Sequence, residues 1–167
     1  IGLAAVGIGG DVFHIFISLI CGAMVWELLR MLAPNAAGLA IQQGLLSGVV
    51  LLLASYMPGF YVLPLLLAVA ISGATRITSY RAVFAIFSIF LLLAGYEMIA
   101  LRDDLGFVWL LWLIVVVVIS DVAGYFAGKA FGGPKFWPRI SPKKTWSGTA
   151  AGWVGAAVIG ALFLNQD

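Results

Sequence analysis

Apolar runs of about the length of a membrane crossing, separated by short polar breaks, fill this chain from end to end. A helix needs roughly 20 apolar residues to cross a hydrocarbon core about 30 Å thick. Six stretches fit that measure: Val12–Leu32, Leu39–Met57, Phe60–Ala74, Ala82–Leu101, Phe107–Phe126 and Gly148–Leu164. The third is short, which is read either as a span with little tilt or as a tight hairpin with the second around Met57-Pro58-Gly59. The runs are continuous rather than alternating, which predicts helices and argues against a barrel. The expected fold is all-α: a polytopic integral membrane protein with about six transmembrane helices in one domain over residues 1–167. The opening IGLAAVGIGG has no basic n-region and reads as the tail of a further hydrophobic segment, not as a signal peptide.

Composition sharpens this reading. The chain is 63% hydrophobic and 10% charged, with a mean hydropathy of +1.13, against roughly 25% charged residues in a soluble domain. It cannot bury that much apolar surface in its own core. The single Cys21 excludes a disulfide framework and is expected to be a packed, inert thiol. Charge placement gives the orientation. Arg30, Arg76, Arg81 and the five bases Lys129, Lys135, Arg139, Lys143 and Lys144 all fall on one side of the six-span topology. The other side holds only Arg102, offset by Asp103 and Asp104. Basic loops stay in the cytoplasm, so that side is assigned to the cytoplasm and both chain ends to the outside. A bacterial inner membrane is the expected location, and no nucleic-acid partner is expected.

Small residues recur at GxxxG spacing in Gly44–Gly48, Gly124–Gly128, Gly128–Gly132 and Gly148–Gly152. Such spacing lets membrane helices approach closely, within the chain or in a homodimer. Gly124 and Gly128 are also candidates for keeping backbone bare beside a phosphate.

Residues 120–148 concentrate the candidate chemistry. Asp121 lies in apolar sequence, fifteenth in its span, near the expected cytoplasmic end. A carboxylate there is costly and marks a site by default. Two readings stand: pairing with a base such as Lys129, or ligation of Mg²⁺, which takes carboxylate, water and phosphate oxygens. Ser141, Lys143, Lys144 and Thr145 then place two hydroxyls and two ammonium groups within five residues, at the start of the last helix. A helix N-terminus favours anions, so a triphosphate site fits; a basic loop resting on anionic headgroups fits as well. Glu27 and Arg30 are spaced for an i,i+3 ion pair, or for a place beside Trp26 at the headgroup of a lipid substrate. Glu97 is expected to be structural or to snorkel outward. His14 has no second His or Cys near it in sequence, which disfavours zinc. No Ser–His–Asp set, P-loop or dinucleotide fingerprint is visible.

The run Ser120-Asp121-x-x-Gly124-Tyr125-x-x-Gly128-Lys129-x-Phe131-Gly132, followed by Ile140-Ser141-Pro142-Lys143-Lys144-Thr145-Trp146-x-Gly148, closely resembles the phosphatidate cytidylyltransferases, or CDP-diacylglycerol synthases. The Trp26-Glu27 pair is a second, weaker likeness. The resemblance implies transfer of CMP from CTP to phosphatidate, releasing pyrophosphate, with Mg²⁺ as cofactor and CTP, phosphatidate and membrane lipids as partners. It implies that Asp121, Lys129 and Lys144 are catalytic, with Asp121 the metal ligand. It further implies that Ser141, Lys143, Lys144 and Thr145 hold the CTP phosphates, with Gly124 and Gly128 as close-approach positions. Family members carry a later acidic signature expected to supply much of the metal site. Nothing like it occurs here, so the chain reads as truncated at both ends. A CTP-dependent lipid kinase and a non-enzymatic transporter or scaffold with a basic loop are the alternatives.

Overall fold

The structure is a computed structural model and describes residues 2–164; Ile1 and the tail 165–167, expected on the outer side, lie outside the described residues. The element order is α1 (Gly2–Ile8), α2 (Gly10–Leu32), α3 (Ala37–Ala54), α4 (Gly59–Ala74), α5 (Arg81–Ala100), a π-helical turn (Leu101–Leu105), α6 (Phe107–Phe131), β1 (Lys135–Trp137), β2 (Ser141–Thr145) and α7 (Trp146–Leu164). Every expected span is a helix. Five are long and apolar enough to cross a membrane, and α4 is shorter. In lipid the backbone has no water to bond, so helices close their own N–H and C=O groups.

Two boundaries differ from expectation. Helix α6 continues five residues past Phe126, which leaves Asp121 ten residues from its end, about 15 Å along the axis. The basic loop is not irregular: it folds as an antiparallel hairpin. The opening residues form α1, which folds back along α2 so that Gly2 faces Phe16. The reversal turns on Gly9 and Gly10, at φ 70° and 53°, a region that glycine enters without a Cβ clash.

The sequence reads as one domain, whereas the fold divides into two compact units, Ile1–Phe107 and Val108–Asp167. In the first unit α2 buries Phe13, Ile17, Cys21, Val25 and Leu29. These fall every fourth residue, one stripe of a helix. Cys21 is the packed thiol expected, lying against Gly95. Helices α2 and α3 meet backbone to backbone: a Cβ on Gly22 would lie 2.7 Å from Gly44 O, and one on Gly48 3.0 Å from Ser18 O. Gln43 is buried in α3 and donates to Val69 O of α4 at 2.6 Å and to Ser72 Oγ at 3.1 Å. Because lipid offers no rival partner, such bonds help fix helix pairs, at about 0.6 kcal/mol on average.

Polar residues close the end of this unit opposite Arg30. His14, buried in α2, bonds Asp103 Oδ2 of the π-turn through Nε2 at 2.7 Å and Ser55 Oγ through Nδ1 at 3.1 Å. A Ser, a His and an Asp do therefore converge, 89 and 41 residues apart in sequence, contrary to the sequence reading. The Ser55 hydroxyl also donates to Leu52 O at 2.8 Å, and the three groups tie together the ends of α2, α3 and α5. Beside them Tyr56 donates to Asp11 Oδ1 at 2.7 Å. That bond, lost on ionisation, holds the Tyr56 phenol above its ordinary range. Arg102 Nε donates to Val6 O at 3.0 Å and pins α1. At the other end the expected Glu27–Arg30 pair is not made. His14–Asp103 is the one ion pair among the described residues, and both Glu27 and Arg30 extend outward from a helix end where water and headgroups compete. Glu97, expected to be structural or to snorkel outward, is exposed.

Two stability outcomes follow for the purified protein in detergent. Gly22→Ala drives a methyl into Gly44 O and is expected to cost about 1–3 kcal/mol by overpacking, whereas Gly38→Ala, with open space around it, leaves the melting temperature unchanged or raised. His14→Leu strips Asp103 and Ser55 of a shared partner and is expected to cost about 1–3 kcal/mol; Asp104→Asn, beside it in the π-turn, serves as the neutral control.

Candidate functional site

The second unit is built from α6, the hairpin and α7. Helices α6 and α7 touch through glycine. A Cβ on Gly124 would stand 3.1 Å from Gly148 O, one on Gly128 3.0 Å from Thr145 Oγ1, and one on Gly152 3.0 Å from Ser120 O. The close approach at Gly124 and Gly128 is thus made by the start of α7. Trp112 of α6 and Phe163 of α7 meet further along, with ring centroids 6.2 Å apart.

The neighbouring stripe of α6 carries Asp121, Tyr125 and Lys129, spaced four residues apart and so on one face. All three are exposed. Lys129 Nζ lies 5.9 Å from the Tyr125 ring centroid. The Asp121–Lys129 ion pair is not formed; the eight residues between them amount to about 12 Å of helix. Asp121 is also the one acid in the described part of this unit, against five bases.

Helix α6 stops at Phe131. Gly132 and Gly133 follow at φ 58° and 101°, then Pro134, which lacks the N–H to continue a helix. The chain reverses into β1, turns through Pro138 and Arg139, and returns as β2. Lys135 pairs with Thr145 and Trp137 with Ser141. Four steps on β2 answer two on β1, so the Pro142–Lys144 stretch bulges outward. Lys135, Arg139, Lys143 and Lys144 are all exposed on this ribbon, and among the described residues none has a carboxylate within ion-pair distance.

Thr145 fastens the ribbon to α7. It is buried, and its Oγ1 accepts the Gly148 N–H at 3.3 Å, the bond of a helix N-cap. Ser147 Oγ donates to Gly132 O, and Thr145 Oγ1 lies 3.1 Å from Ser147 Oγ. Trp146 N donates to Pro134 O at 3.1 Å, and its ring packs edge-on against Phe136 at 4.6 Å. A helix start leaves four N–H groups open; those of Trp146 and Gly148 are already taken. Anion affinity here therefore rests on lysine ammonium groups more than on the bare helix end. Lys143 and Lys144 stand exposed for such a role, Ser141 is half-buried, and the Thr145 hydroxyl is engaged internally.

No set of three or more His, Cys, Asp or Glu side chains among the described residues is placed to hold a metal ion. Mg²⁺ usually takes one or two carboxylates together with waters and substrate phosphates. Asp121 can supply one such ligand; the described residues do not build a complete site. Sequence reasoning missed the hairpin, the cap and Gln43. The Gln42-Gln43 pair of amides in an apolar run was the one available signal for Gln43.

Comparison with known proteins identifies the family. The model of the "Cytidylyltransferase family" matches residues 1–166. The phosphatidate cytidylyltransferase of Brucella suis biovar 1 (strain 1330) is 45% identical over 76 residues, 42% of this chain and 28% of that protein. That of Chlamydia pneumoniae is 47% identical over 62 residues, 37% of this chain and 20% of that protein. That of Bacillus subtilis (strain 168) is 41% identical over 61 residues, 36% of this chain and 23% of that protein. The matches thus cover under a third of each relative's length. No solved structure matches the chain. With nearly its whole length matched, the chain belongs to the cytidylyltransferase family.

Proposed function

We propose that the protein transfers CMP from CTP to phosphatidate, giving CDP-diacylglycerol and pyrophosphate for phospholipid synthesis. A phosphate oxygen of phosphatidate attacks the α-phosphorus of CTP. The bond from that phosphorus to the β-phosphate bridging oxygen breaks, and pyrophosphate leaves. Such chemistry needs positive charge and in-line positioning more than covalent help. The observation that carries the reading is the hairpin: four exposed bases on a short ribbon, with no ion-pair partner among the described residues and fixed at its root by Thr145, in a chain of this family.

In this reading Lys143 and Lys144 bind the CTP phosphates and offset charge that builds on the departing pyrophosphate. Ser141 donates to a phosphate oxygen. Lys129 attends the lipid phosphate or the nucleotide from α6, and Thr145 holds the lysines in place through its cap. Mg²⁺, when bound, would neutralise phosphate charge, and Asp121 would be one of its ligands. The positive-inside pattern supports a site facing the cytoplasm of a bacterial inner membrane, where CTP is available.

Turnover by the full-length protein in detergent, measured as CDP-diacylglycerol from phosphatidate and labelled CTP, tests these roles. Lys144→Ala removes a charge-assisted contact of about 1.5–3 kcal/mol. It is expected to lower kcat/KM for CTP by roughly 10–100-fold, while unchanged turnover would remove the lysine from the site. Asp121→Asn is expected to lose at least as much, and full turnover in that variant would end its metal role. Thr145→Val should cost about 0.5–2 kcal/mol of stability through loss of the cap and raise KM for CTP, and Thr145→Ser should restore both.

A further inference from the structure

Helices α2 and α3 enclose a lipid-facing groove that the nucleotide chemistry does not use. Its volume is about 480 Å³, within the range of a small-molecule site. Ser18, Gly22 and Trp26 form its α2 side, and Gly44 and Gly48 its α3 side. The small residues set its floor, because the two backbones touch there: Gly22 meets Gly44 O, and Gly44 meets the Trp26 Cβ. Aliphatic side chains such as Leu19 and Leu45 rise on either flank. From Ile15 to Trp26 the groove follows twelve residues of α2, about 16 Å from first to last. One leaflet of a hydrocarbon core about 30 Å thick has nearly that depth.

The end of the groove is charged. Ser18, Gly22, Trp26 and Arg30 recur every fourth residue, so Arg30 continues the groove stripe one turn beyond Trp26. Arg30 is exposed and pairs with no carboxylate among the described residues, Glu27 included. An apolar channel of one-leaflet depth, ending at an aromatic ring and then at an exposed guanidinium, matches an acyl chain joined to a phosphate. Guanidinium binds phosphate in a fork, and tryptophan suits the headgroup level.

We propose that this groove seats one acyl chain of phosphatidate, with the lipid phosphate on Arg30. The inference rests on the reading of phosphatidate as substrate and assigns the lipid a place on α2 and α3. The test uses the full-length protein in nanodiscs, with phosphatidate or phosphatidylcholine carrying a photoreactive diazirine in the tail, and maps the labelled residues. Phosphatidate is expected to label Leu19, Ala23, Leu45 and Val49 several-fold more than the exposed lipid face of α5 at Ile86 and Phe90. It should also exceed phosphatidylcholine at the same positions. Arg30→Gln should erase the preference between headgroups, and Ala23→Phe, which fills the groove without touching the glycine contact, should displace the label. Even labelling of all lipid faces, equal labelling by both lipids, or crosslinks to a second copy of the chain would overturn the proposal. Turnover measured alongside separates the two readings. Intact turnover with even labelling sinks the groove alone, whereas groove labelling with no CDP-diacylglycerol upholds the lipid site and sinks the nucleotidyl transfer.

Discussion

Apolar helices gain little by leaving lipid for each other, since lipid tails are as apolar as leucine. Close backbone approach and scarce interhelical polar bonds must hold them, and most of this structure follows from that constraint. Gly22, Gly44 and Gly48 join α2 to α3, Gly95 gives room to Cys21, and Gly124, Gly128, Gly148 and Gly152 join α6 to α7. Dispersion between well-fitted surfaces then does what the hydrophobic effect does in water. Gln43 and the His14–Ser55–Asp103 group add directional bonds where no water competes.

The same glycines shape the two places where ligands are proposed to bind. Between α2 and α3 they lower the floor of a groove while branched neighbours keep its walls high. Between α6 and α7 they bring the start of α7 against α6, so that Thr145 sits at once beside Gly128 and under the hairpin. The cap leaves the lysines of β2 on a short, tethered ribbon rather than on a free loop. A tethered ribbon loses less conformational entropy when it closes on an anion. Gathering five bases and a single acid into the described part of one unit makes it strongly cationic, as the proposed triphosphate site would require.

The helices were legible because bilayer thickness dictates their length, and each apolar run had to meet it. The end of α6 was not: Lys129 and two glycines look like a boundary, yet the glycines are helical because α7 packs on them. The hairpin was hidden for a related reason. Lys135-Phe136-Trp137 is only three residues long, and Ser141–Thr145 is rich in lysine and proline, which have little strand preference of their own. What holds them is distant: the bond from Ser147 to Gly132, that from Trp146 to Pro134, and the Phe136–Trp146 contact. The Asp103–His14 pair spans 89 residues, a separation that no local pattern carries. Of the site, the residue types and their spacing were visible in sequence. The internal engagement of Thr145, and the separate helix stripes of Gly124 and Asp121, needed the fold.

The central claim is that a nucleotidyl group moves to a lipid phosphate, and the fate of label from CTP tests it most directly. Phosphatidate is incubated with the full-length protein, Mg²⁺ and CTP labelled at either the α- or the γ-phosphate, and the lipid fraction is counted. The account predicts α-label in the lipid and γ-label in released pyrophosphate. Label from the γ-phosphate in the lipid would indicate a kinase, and label in neither lipid nor pyrophosphate would indicate no nucleotide chemistry; either would contradict it.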